Sequence, residues 1–591
     1  MAANTKNKNI AKVSELKEAV LASKKSFIIV GFFSLFINIL MLVPPLYMLQ
    51  LYDRVLTSRS EDTLILLTAI VLVLFITMAL LEIVRSKILV KVGNNLDYIL
   101  SQRIFNLLFD LANKHPGKAT AVPLNDLTQI KQFMTGNGLF AFFDAPWIPI
   151  YIAVLFIFHP MFGYFAIFAA IVLLSLAIVN EYVTKEKLGE ANGLSRASGA
   201  YVESNLRNAE VINAMGMKDN VRSVWEEKYF GFLHAQNEAS NKAAVISNTS
   251  KTMRMMFQSM MLGLGGYLAI TMEVSPGMMI AGSIIMGRAL APIDLMINSW
   301  KGFSGARTSY ERVDELLEDF PKDKEYMELP APQGEIILEQ VVVTPPGAKQ
   351  PSIKGISMVI DKGDVVGIIG PSAAGKSSLA RIILGLWPLA QGKARLDKAD
   401  IYQWDKADLG KYIGYLPQDI ELFEGTVSQN IARFREVDSK KVVEAAQKAG
   451  IHEMVLRLPD GYDTLIGAGG VGLSGGQRQR IGLARAIYDS PVLVVLDEPN
   501  SNLDEQGELS LVRAIEILKQ QETTVVVITH KPNILKVTNK LAVLKQGILE
   551  MYGKTNEVLA QIAANNNQVK KVQPNASASK APKISLGKPG S

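Results

Sequence analysis

The residues best suited to chemistry begin with Gly370-Pro-Ser-Ala-Ala-Gly375-Lys376-Ser377, which follows an apolar run over 364–370. This segment matches the pattern G-x-x-x-x-G-K-[ST], in which glycines let successive backbone N–H groups surround a phosphate chain. In such a loop Lys376 places a positive charge at the β- and γ-phosphates, and the Ser377 hydroxyl is a ligand for Mg²⁺. The spacing predicts a buried strand, the loop, and a helix that begins near Gly375. The predicted nucleotide contacts are Gly370, Pro371, Ser372, Ala373, Ala374, Gly375, Lys376, Ser377 and Ser378.

A second candidate is the acidic pair Asp497 and Glu498, which ends the β-branched run Pro491–Leu496. A strand over this run places Asp497 at its carboxyl end, where it can hold Mg²⁺ together with Ser377. The adjacent Glu498 is then positioned to polarise an attacking water molecule. An exposed acidic pair after an edge strand is the alternative, and the phosphate-binding pattern upstream favours the catalytic interpretation.

A third segment, Leu473-Ser-Gly-Gly-Gln477, precedes a helix-forming stretch. A small hydroxyl, two glycines and an amide at a helix start offer backbone donors to an anion. The segment resembles the LSGGQ signature of ABC ATPases. The resemblance implies that this signature closes on ATP held by the phosphate-binding loop of another copy, in a head-to-tail dimer with two shared sites. The contacts implied for it are Leu473, Ser474, Gly475, Gly476 and Gln477.

Three further residues match the ABC family in the expected order. Gln418, in GYLPQD, matches the glutamine that touches Mg²⁺ and couples to the membrane half, and Asp504, in SNLD, matches the loop that crosses the dimer interface. His530 follows an apolar run over 523–529 and matches the histidine that reaches the γ-phosphate, although an isolated histidine after a strand is ordinarily structural. The resemblance therefore implies ATP and Mg²⁺, with catalytic residues Glu498 and His530 and metal ligands Ser377, Gln418 and Asp497.

The segment Val341–Pro346 departs from the ABC exporter pattern, because it contains no aromatic residue on which adenine could stack. We expect adenine to pack against Val343 or Pro345, with less stacking energy.

A second departure precedes the signature, in Thr464–Gly470. Leu465 and Ala468 occupy positions where the family pattern has charge, which leaves open any acidic contact with the facing membrane-domain loop. Glu498 and the signature are intact, so a homodimer would have two competent sites.

The segments that could form transmembrane helices lie in the first half of the chain. Hydrophobic residues make up 49% and charged residues 20% of the 591 residues, and long uncharged runs occur only before about residue 300. A helix needs about 20 apolar residues to cross the hydrocarbon core. Six segments meet that length approximately: Phe27–Leu49, Leu64–Val84, Leu139–Phe158, Met161–Val179, Met255–Met272 and Met278–Ile297.

Loop lengths and charges predict the orientation of these spans. The second-to-third and fourth-to-fifth connections are long, and residues 86–137 hold six Lys and Arg and 181–250 hold eight. The three short connections hold two, Arg54 and Arg59. The positive-inside rule therefore predicts that both termini and both long loops are cytoplasmic. Within the long loops, 124–134 and 206–217 are candidates for short transverse segments facing the ATPase, and packing between cytosolic helices is the equal alternative.

Asp144 is the carboxylate well inside the third predicted span. A charge there costs about 2.5 to 3.5 kcal/mol on insertion scales, which predicts an aqueous pathway or a partner. The alternative is an interfacial residue that breaks the helix ahead of Pro146, with Trp147 as an interface anchor.

Composition excludes several other classes of protein. The chain has no cysteine, which excludes disulfide scaffolds, thiolate metal sites and cysteine nucleophiles. Its five histidines show no metal-ligand spacing. A net charge of +6 without a basic stripe does not indicate nucleic-acid binding, and cytoplasmic-face Lys and Arg near membrane lipid account for it.

Longer stretches resemble the permease/ATPase of bacterial type I protein secretion, in the branch that exports proteases and RTX-type proteins. They are FFDAPW, GPSAAGKSS, GYLPQDIELFEGTVSQNIARF and LDEPNSNLDEQGE. The resemblance, from about residue 20 to 560, implies an inner-membrane homodimer that works with a periplasmic membrane-fusion protein and an outer-membrane channel. It implies an unfolded protein cargo with an uncleaved C-terminal signal. Since about 25 residues precede the first span, we expect no N-terminal peptidase domain.

The predicted fold is multidomain: an α-helical six-span transmembrane domain of the ABC exporter type, then an α/β P-loop nucleotide-binding domain. The predicted segments are a cytoplasmic N-terminal stretch over 1–25, the transmembrane domain over 26–315, a linker over 316–334, the ATPase over 335–563 and a disordered basic tail over 564–591. A lipid or drug exporter of the same architecture remains an alternative. A membrane-anchored ABC ATPase without transport is disfavoured, since an anchor needs one span.

Overall fold

A computed structural model describes residues 14–115, 117, 120–320, 329–467, 470 and 472–572. The chain divides into two units. One unit comprises Met1–Phe109 and Thr120–Lys322, and the other comprises Asp110–Ala119 and Asp323–Ser591.

The described part of the first unit contains helices and no strand. A π-helical turn over Leu51–Val55 follows the first predicted span, and a 3-10 turn over Ala145–Trp147 interrupts the third. The helices are α1 Glu15–Ala22, α2 Lys24–Leu40, α3 Val43–Gln50, α4 Leu56–Ser58, α5 Glu61–Lys114, α6 Val122–Thr135, α7 Asn137–Asp144, α8 Ile148–Phe158, α9 Pro160–Leu206, α10 Ala209–Ala214, α11 Lys218–Ile270 and α12 Pro276–Asp319.

Five stretches in the described residues are long and apolar enough to cross a membrane: Lys24–Ser58, Glu61–Lys114, Gly138–Phe158, Pro160–Leu206 and Pro276–Asp319. The predicted span over 255–272 lies almost entirely in α11, which is not among them, because Arg254, Gln258 and several glycines dilute its apolar residues. The four long helices α5, α9, α11 and α12 have 44 to 54 residues. At 1.5 Å per residue they measure roughly 65 to 80 Å, about twice the hydrocarbon thickness or more.

Small residues allow the apolar helices to approach closely. A Cβ added to Gly163 would lie 2.3 Å from the Phe156 ring, and one added to Gly265 would lie 2.7 Å from Met279. Buried alanines of α9, including Ala166 and Ala169, continue this contact surface. Close packing of small residues is a principal source of helix association where lipid removes the hydrophobic driving force.

Asp144 lies in a buried polar cluster that joins the first and third predicted spans to Arg85, the residue after the second. Arg85 Nη1 donates to Asp144 Oδ1 over 3.2 Å and to Ser34 Oγ over 3.1 Å, and Asn38 Nδ2 donates to the same carboxylate oxygen over 2.8 Å. The Tyr151 hydroxyl donates to Asn38 Oδ1 over 3.0 Å. The partner expected for Asp144 is therefore Arg85, and α7 also ends at this aspartate.

The candidate transverse segment over 124–134 lies within α6, which packs against α12, and its role as a contact with the ATPase stays a prediction. Asp126 of α6 is buried and receives hydrogen bonds from Ser309 Oγ over 3.0 Å and from the Arg312 guanidinium of α12. Leu127 and Ile130 are buried on the same face.

The other candidate segment, over 206–217, contains the short helix α10 between two long helices. Its Val211 and Met215 are 52% and 70% exposed. The role of this segment as a transverse contact stays a prediction.

The described part of the second unit has two larger sheets and a small one, with strand orders β2-β1-β4-β5, β12-β11-β3-β10-β9-β6 and β7-β8. The strands are β1 Ile336–Val343, β2 Ile353–Ile360, β3 Val365–Ile369, β4 Gln391–Leu396, β5 Ala399–Asp400, β6 Ile413–Leu416, β7 Gly425–Thr426, β8 Leu465–Ile466, β9 Leu493–Asp497, β10 Thr524–Ile528, β11 Lys540–Lys545 and β12 Ile548–Lys554. The helices are α13 Lys376–Ile383, α14 Lys406–Leu409, α15 Val427–Ile431, α16 Ser439–Lys448, α17 His452–Leu456, α18 Gly475–Ile487, α19 Glu505–Gln520, α20 Pro532–Leu535 and α21 Thr555–Val572.

The central strands of the six-stranded sheet are parallel and covered on both faces. β10 pairs in parallel with β3 and β9, and β9 pairs in parallel with β6. Alternate residues of β10 enter different hydrophobic cores: Val525 and Val527 pack in one, and Val526 and Ile528 pack in the other. Burial on both faces explains why these strands are continuous apolar runs in the sequence. The three predicted strands are present, with ends shifted by one or two residues.

The predicted start of the disordered tail, residue 564, lies within a helix, and the disorder of the tail stays a prediction. Helix α21 continues to Val572, and its Val558 packs against Leu535 and Leu541 near the helix start. The remainder of that tail lies outside the described residues, as do 1–13 of the predicted N-terminal stretch and 321–328 of the predicted linker.

The polar cluster of the first unit predicts a non-additive effect on stability. Arg85→Met or Asp144→Asn alone leaves one buried charge without its partner, so each should destabilise the protein by about 3 to 5 kcal/mol. The neutral double variant should lose less than the sum of the single variants. Thermal unfolding of the purified full-length chain in detergent measures this difference.

The control for this experiment is Arg207→Ala, which removes an ion pair whose Arg207 and Glu203 side chains are 77% and 66% exposed. Exposed pairs contribute about 0 to 1 kcal/mol, so little change is expected. Additive losses in the Arg85 and Asp144 variants would show that the two groups do not stabilise each other.

Candidate nucleotide-binding site

Four of the predicted site segments follow the carboxyl ends of four adjacent parallel strands. The phosphate-binding loop follows β3, His530 follows β10, Glu498 follows β9 and Gln418 follows β6. Because these strands are neighbours in the order β3-β10-β9-β6, their carboxyl ends meet at one edge of the sheet. This edge of an open parallel sheet is where ligands bind in α/β folds.

The phosphate-binding loop adopts a conformation that requires glycine. Gly375 has a φ of +96°, and a Cβ there would lie 2.7 Å from the Ser352 carbonyl oxygen. The helix α13 begins at the next residue, Lys376, whose Nζ is held by the carbonyl oxygens of Gly370 and Pro371 at 2.8 and 3.1 Å. The lysine charge and the N-terminus of α13 therefore lie at the same loop, as an anion-binding site requires.

The remaining loop residues differ in exposure. Pro371, Ser372 and Ala373 are exposed, whereas Ala374 is buried. The Ser378 hydroxyl accepts a hydrogen bond from Ser352 Oγ over 3.0 Å. The exposed residues leave the outer side of the loop open to a ligand.

Asp497 and Ser377 form an oxygen-rich pair beside this loop. The Ser377 hydroxyl hydrogen-bonds the Asp497 carboxylate, and Asp497 Oδ1 is buried without a hydrogen-bond partner in the described part of the chain. Burial raises the pKa of the Asp497 carboxyl above its ordinary value, and the Ser377 hydrogen bond opposes that shift. One carboxylate and one hydroxyl, completed by substrate phosphates and water, are the ligands that Mg²⁺ prefers, so these residues fit that ion.

Glu498 has a strained backbone and contacts another predicted site residue. Its φ is +49°, a left-handed conformation that is unusual for glutamate. Its N–H donates to the Ile528 carbonyl oxygen over 3.0 Å, which ties it to β10. Gln418 Nε2 donates to Glu498 Oε2 over 3.2 Å. The structure thus brings together Glu498 and Gln418, which are 80 residues apart in the sequence.

His530 is exposed directly after β10. The preceding Thr529 is buried, and its hydroxyl donates to Asn500 Oδ1 over 3.0 Å. The hydrogen bond between Thr529 and Asn500 therefore holds the backbone next to His530 against the segment that follows Glu498.

The predicted signature begins the helix α18. Ser474 and Gln477 form a capping box, in which Gln477 N–H donates to Ser474 Oγ over 3.2 Å and Ser474 N–H donates to Gln477 Oε1 over 2.8 Å. Gly475 and Gly476 occupy the first two positions of the helix. Asp504 is exposed and caps α19 through the Gly507 N–H over 2.9 Å.

One of the two expected adenine contacts is wrong. Val343 is fully buried, because the side-chain alternation of β1 directs it into the core with Ile353 and Ile356. Pro345 is half-buried and remains available.

In the segment before the signature, Leu465 is 78% exposed. Ala468 lies outside the described residues.

Sequence reasoning missed two polar side chains near the site, one buried and one half-buried. One is Gln479, two residues after the signature and 1% exposed. The other is Arg433, which donates to the carbonyl oxygens of Gly410, Ile413 and Ala486 at 2.8 to 2.9 Å. Burial lowers the pKa of Arg433 to about 10. No local pattern indicates Arg433, but a polar residue among the apolar positions of α18 was a signal for Gln479.

Two family models match this chain, one for each half. The model described as ABC transporter transmembrane region matches residues 27–290, and the model described as ABC transporter matches residues 353–501. The solved structure of a bacterial Atm1-family ABC exporter with ATP bound has a TM-score of 0.79 and 20% identity. That match covers 94% of this chain and 100% of the other, and it supports the fold alone.

Curated relatives are similar along nearly the whole chain. The type I secretion system ATP-binding protein PrsD of Rhizobium meliloti (strain 1021) is 40% identical over 565 residues, covering 95% of this chain and 96% of that protein. The cyclolysin secretion/processing ATP-binding protein CyaB of Bordetella pertussis is 28% identical, covering 89% of this chain and 75% of that protein. The chain is an integral inner-membrane protein with a cytoplasmic, nucleotide-binding ATPase domain. It belongs to the ABC transporter family, among the ATP-binding proteins of type I secretion systems.

Proposed function

We propose that this chain is the ATP-hydrolysing component of a type I secretion system and exports an unfolded protein across the inner membrane. The observation that carries the proposal is its 40% identity to a type I secretion protein over 95% of the chain. The phosphate-binding loop, the acidic pair and the membrane helices are all present in one polypeptide, as such an exporter requires.

In this proposal each residue at the sheet edge has a separate role in ATP hydrolysis. Glu498 polarises the attacking water, and His530 reaches the γ-phosphate. Lys376 and the loop amides hold the β- and γ-phosphates. Ser377, Asp497 and Gln418 would hold Mg²⁺, which neutralises the charge that develops on the transferred phosphoryl group.

We further propose that the chain acts as a homodimer with two shared ATP sites. The signature residues around Ser474 form a helix start within a separate segment from the phosphate-binding loop, and the family pattern assigns them to the ATP of the other copy. Asp504 begins α19 at the adjoining loop, which is assigned to the dimer interface. Closure of the two ATPase domains on ATP drives the membrane helices, and hydrolysis reopens them.

The partners proposed for this exporter are a periplasmic membrane-fusion protein and an outer-membrane channel. The cargo proposed is a protein with a C-terminal secretion signal. Membrane lipid surrounds the helices of the first unit, and no nucleic-acid partner is proposed.

If Glu498 is the general base, its replacement should abolish ATP hydrolysis without abolishing ATP binding. Glu498→Gln should retain ATP binding and lose hydrolysis by about 10² to 10⁴-fold, because a positioned general base contributes a factor of that size. Phosphate release by the full-length chain in lipid nanodiscs and binding of a fluorescent ATP analogue measure the two quantities. Glu516→Gln, at an exposed position of α19, is the control and should hydrolyse ATP normally. Substantial steady-state hydrolysis by the Glu498 variant would remove the base assignment.

The proposed cargo predicts a change in secreted protein. Deletion of this chain from its bacterium should remove one or a few proteins from the culture medium, and the natural chain should restore them. Lys376→Ala is the control, because it keeps the membrane protein but removes the phosphate-binding charge, so it should not restore secretion. Quantitative proteomics of the medium, with lipid analysis of the same cells, is the measurement. An unchanged medium with altered membrane lipid would contradict protein export and favour a lipid exporter.

A further inference from the structure

The side chain of Gln479 holds the turn that follows the proposed base. Its amide nitrogen donates to the Pro499 carbonyl oxygen and lies 3.4 Å from the Glu498 carbonyl oxygen. Its amide oxygen accepts from the Asn502 N–H over 2.9 Å. Both polar atoms of this buried amide are therefore used on the segment from Glu498 to Asn502, and none of these contacts belongs to the signature itself.

The signature glycines pack against the same turn. A Cβ added to Gly476 would lie 2.9 Å from the Asn502 carbonyl oxygen, and one added to Gly475 would lie 3.5 Å from the Asn502 side chain. Contact this close leaves no room for a side chain at Gly476 without displacing the turn. If the start of α18 moves, the residues that follow Glu498 must therefore move with it.

The opposite side of the turn is fixed to the six-stranded sheet. Asn500 Oδ1 accepts from the Thr529 hydroxyl over 3.0 Å, and the Glu498 N–H donates to Ile528 over 3.0 Å. Between these anchors Glu498 keeps its left-handed φ of +49°. A conformation of this kind is costly and persists only where the surroundings over-determine it.

We propose that Gln479 is a positioning residue that couples the signature to the Glu498 carboxylate of the same chain. The proposal rests on the shared sites proposed above, in which the signature of a chain serves its partner's ATP while Glu498 acts on the chain's own ATP. When the signature of a chain binds its partner's ATP, Gln479 then positions Glu498 of that same chain at the other ATP site. The link lies inside one chain and predicts that hydrolysis at the two sites is cooperative.

The test uses Gln479→Met in the full-length chain in lipid nanodiscs. Methionine keeps the length of the side chain and removes its hydrogen bonds to the turn. A misplacement of about 1 Å in a catalytic group costs roughly a hundredfold in rate, so a partial release of the turn should lower kcat at least about tenfold. The affinity for a fluorescent ATP analogue should stay within about twofold, since the phosphate-binding loop is untouched. The Hill coefficient for ATP should fall toward one.

Leu483→Met is the matched control, because Leu483 is a buried residue of the same helix that packs in a hydrophobic core. A swap that conserves volume is tolerated, so its kcat should be nearly unchanged. Gln479→Glu is a second variant that keeps the oxygen accepting from Asn502 and places a carboxylate against two carbonyl oxygens. It should show the same split between kcat and ATP affinity.

The result that would overturn the proposal is a kcat within about twofold of the natural chain in a Gln479 variant that unfolds at the normal temperature. A parallel loss of kcat, ATP affinity and thermal stability would also overturn it, because a purely structural residue gives that pattern. The assay needs no cargo or partner protein, so a wrong cargo does not affect it. If the shared sites are wrong, the natural chain itself will show no cooperativity while the loss of kcat remains.

Discussion

The parallel order β3-β10-β9-β6 is the constraint on which the rest of the nucleotide-binding unit depends. Each strand ends at the same edge, so the loops that follow them meet although they are separated by up to 160 residues. The order can exist only if both faces of the sheet are covered, because parallel strands with open faces would expose their apolar residues. The two hydrophobic cores on either side meet that requirement, and they hold the strand ends where Ser377, Asp497 and Glu498 can act together.

In the first unit, ion pairs between helices hold charged side chains that would otherwise be unpaired among apolar residues. Charged groups within or beside apolar helices are costly unless they are paired, and here the pairs join helices that are distant in the sequence. Arg85 with Asp144 joins α5 to α7, and Asp126 with Arg312 joins α6 to α12. These pairs act together with the close packing of small residues, such as Gly163 against Phe156, in bringing particular helices into contact.

Local patterns in the sequence predicted the parts of this protein that local chemistry determines. The phosphate-binding loop, the three buried strands and the start of α18 follow from glycine placement, β-branched runs and helix capping within a few residues. The partner of Asp144 was not predictable, because Arg85 lies 59 residues away and nothing near either residue indicates the pair. The prediction that Val343 contacts adenine was wrong, because the face of the sheet on which its side chain lies depends on how β1 pairs with β2 and β4.

In the proposed homodimer, each ATP site combines the phosphate-binding loop of one chain with the signature of another, and cysteine cross-linking tests this arrangement most directly. The natural chain has no cysteine, so introduced thiols are the only ones present. Two differently tagged forms would be produced together, one with Ser372→Cys and one with Leu473→Cys, each also carrying Glu498→Gln to prevent hydrolysis. With ATP and Mg²⁺, a short bismaleimide should join the two tags in one dimer, and without nucleotide it should not. A link that forms only when both cysteines are on the same chain would contradict the claim.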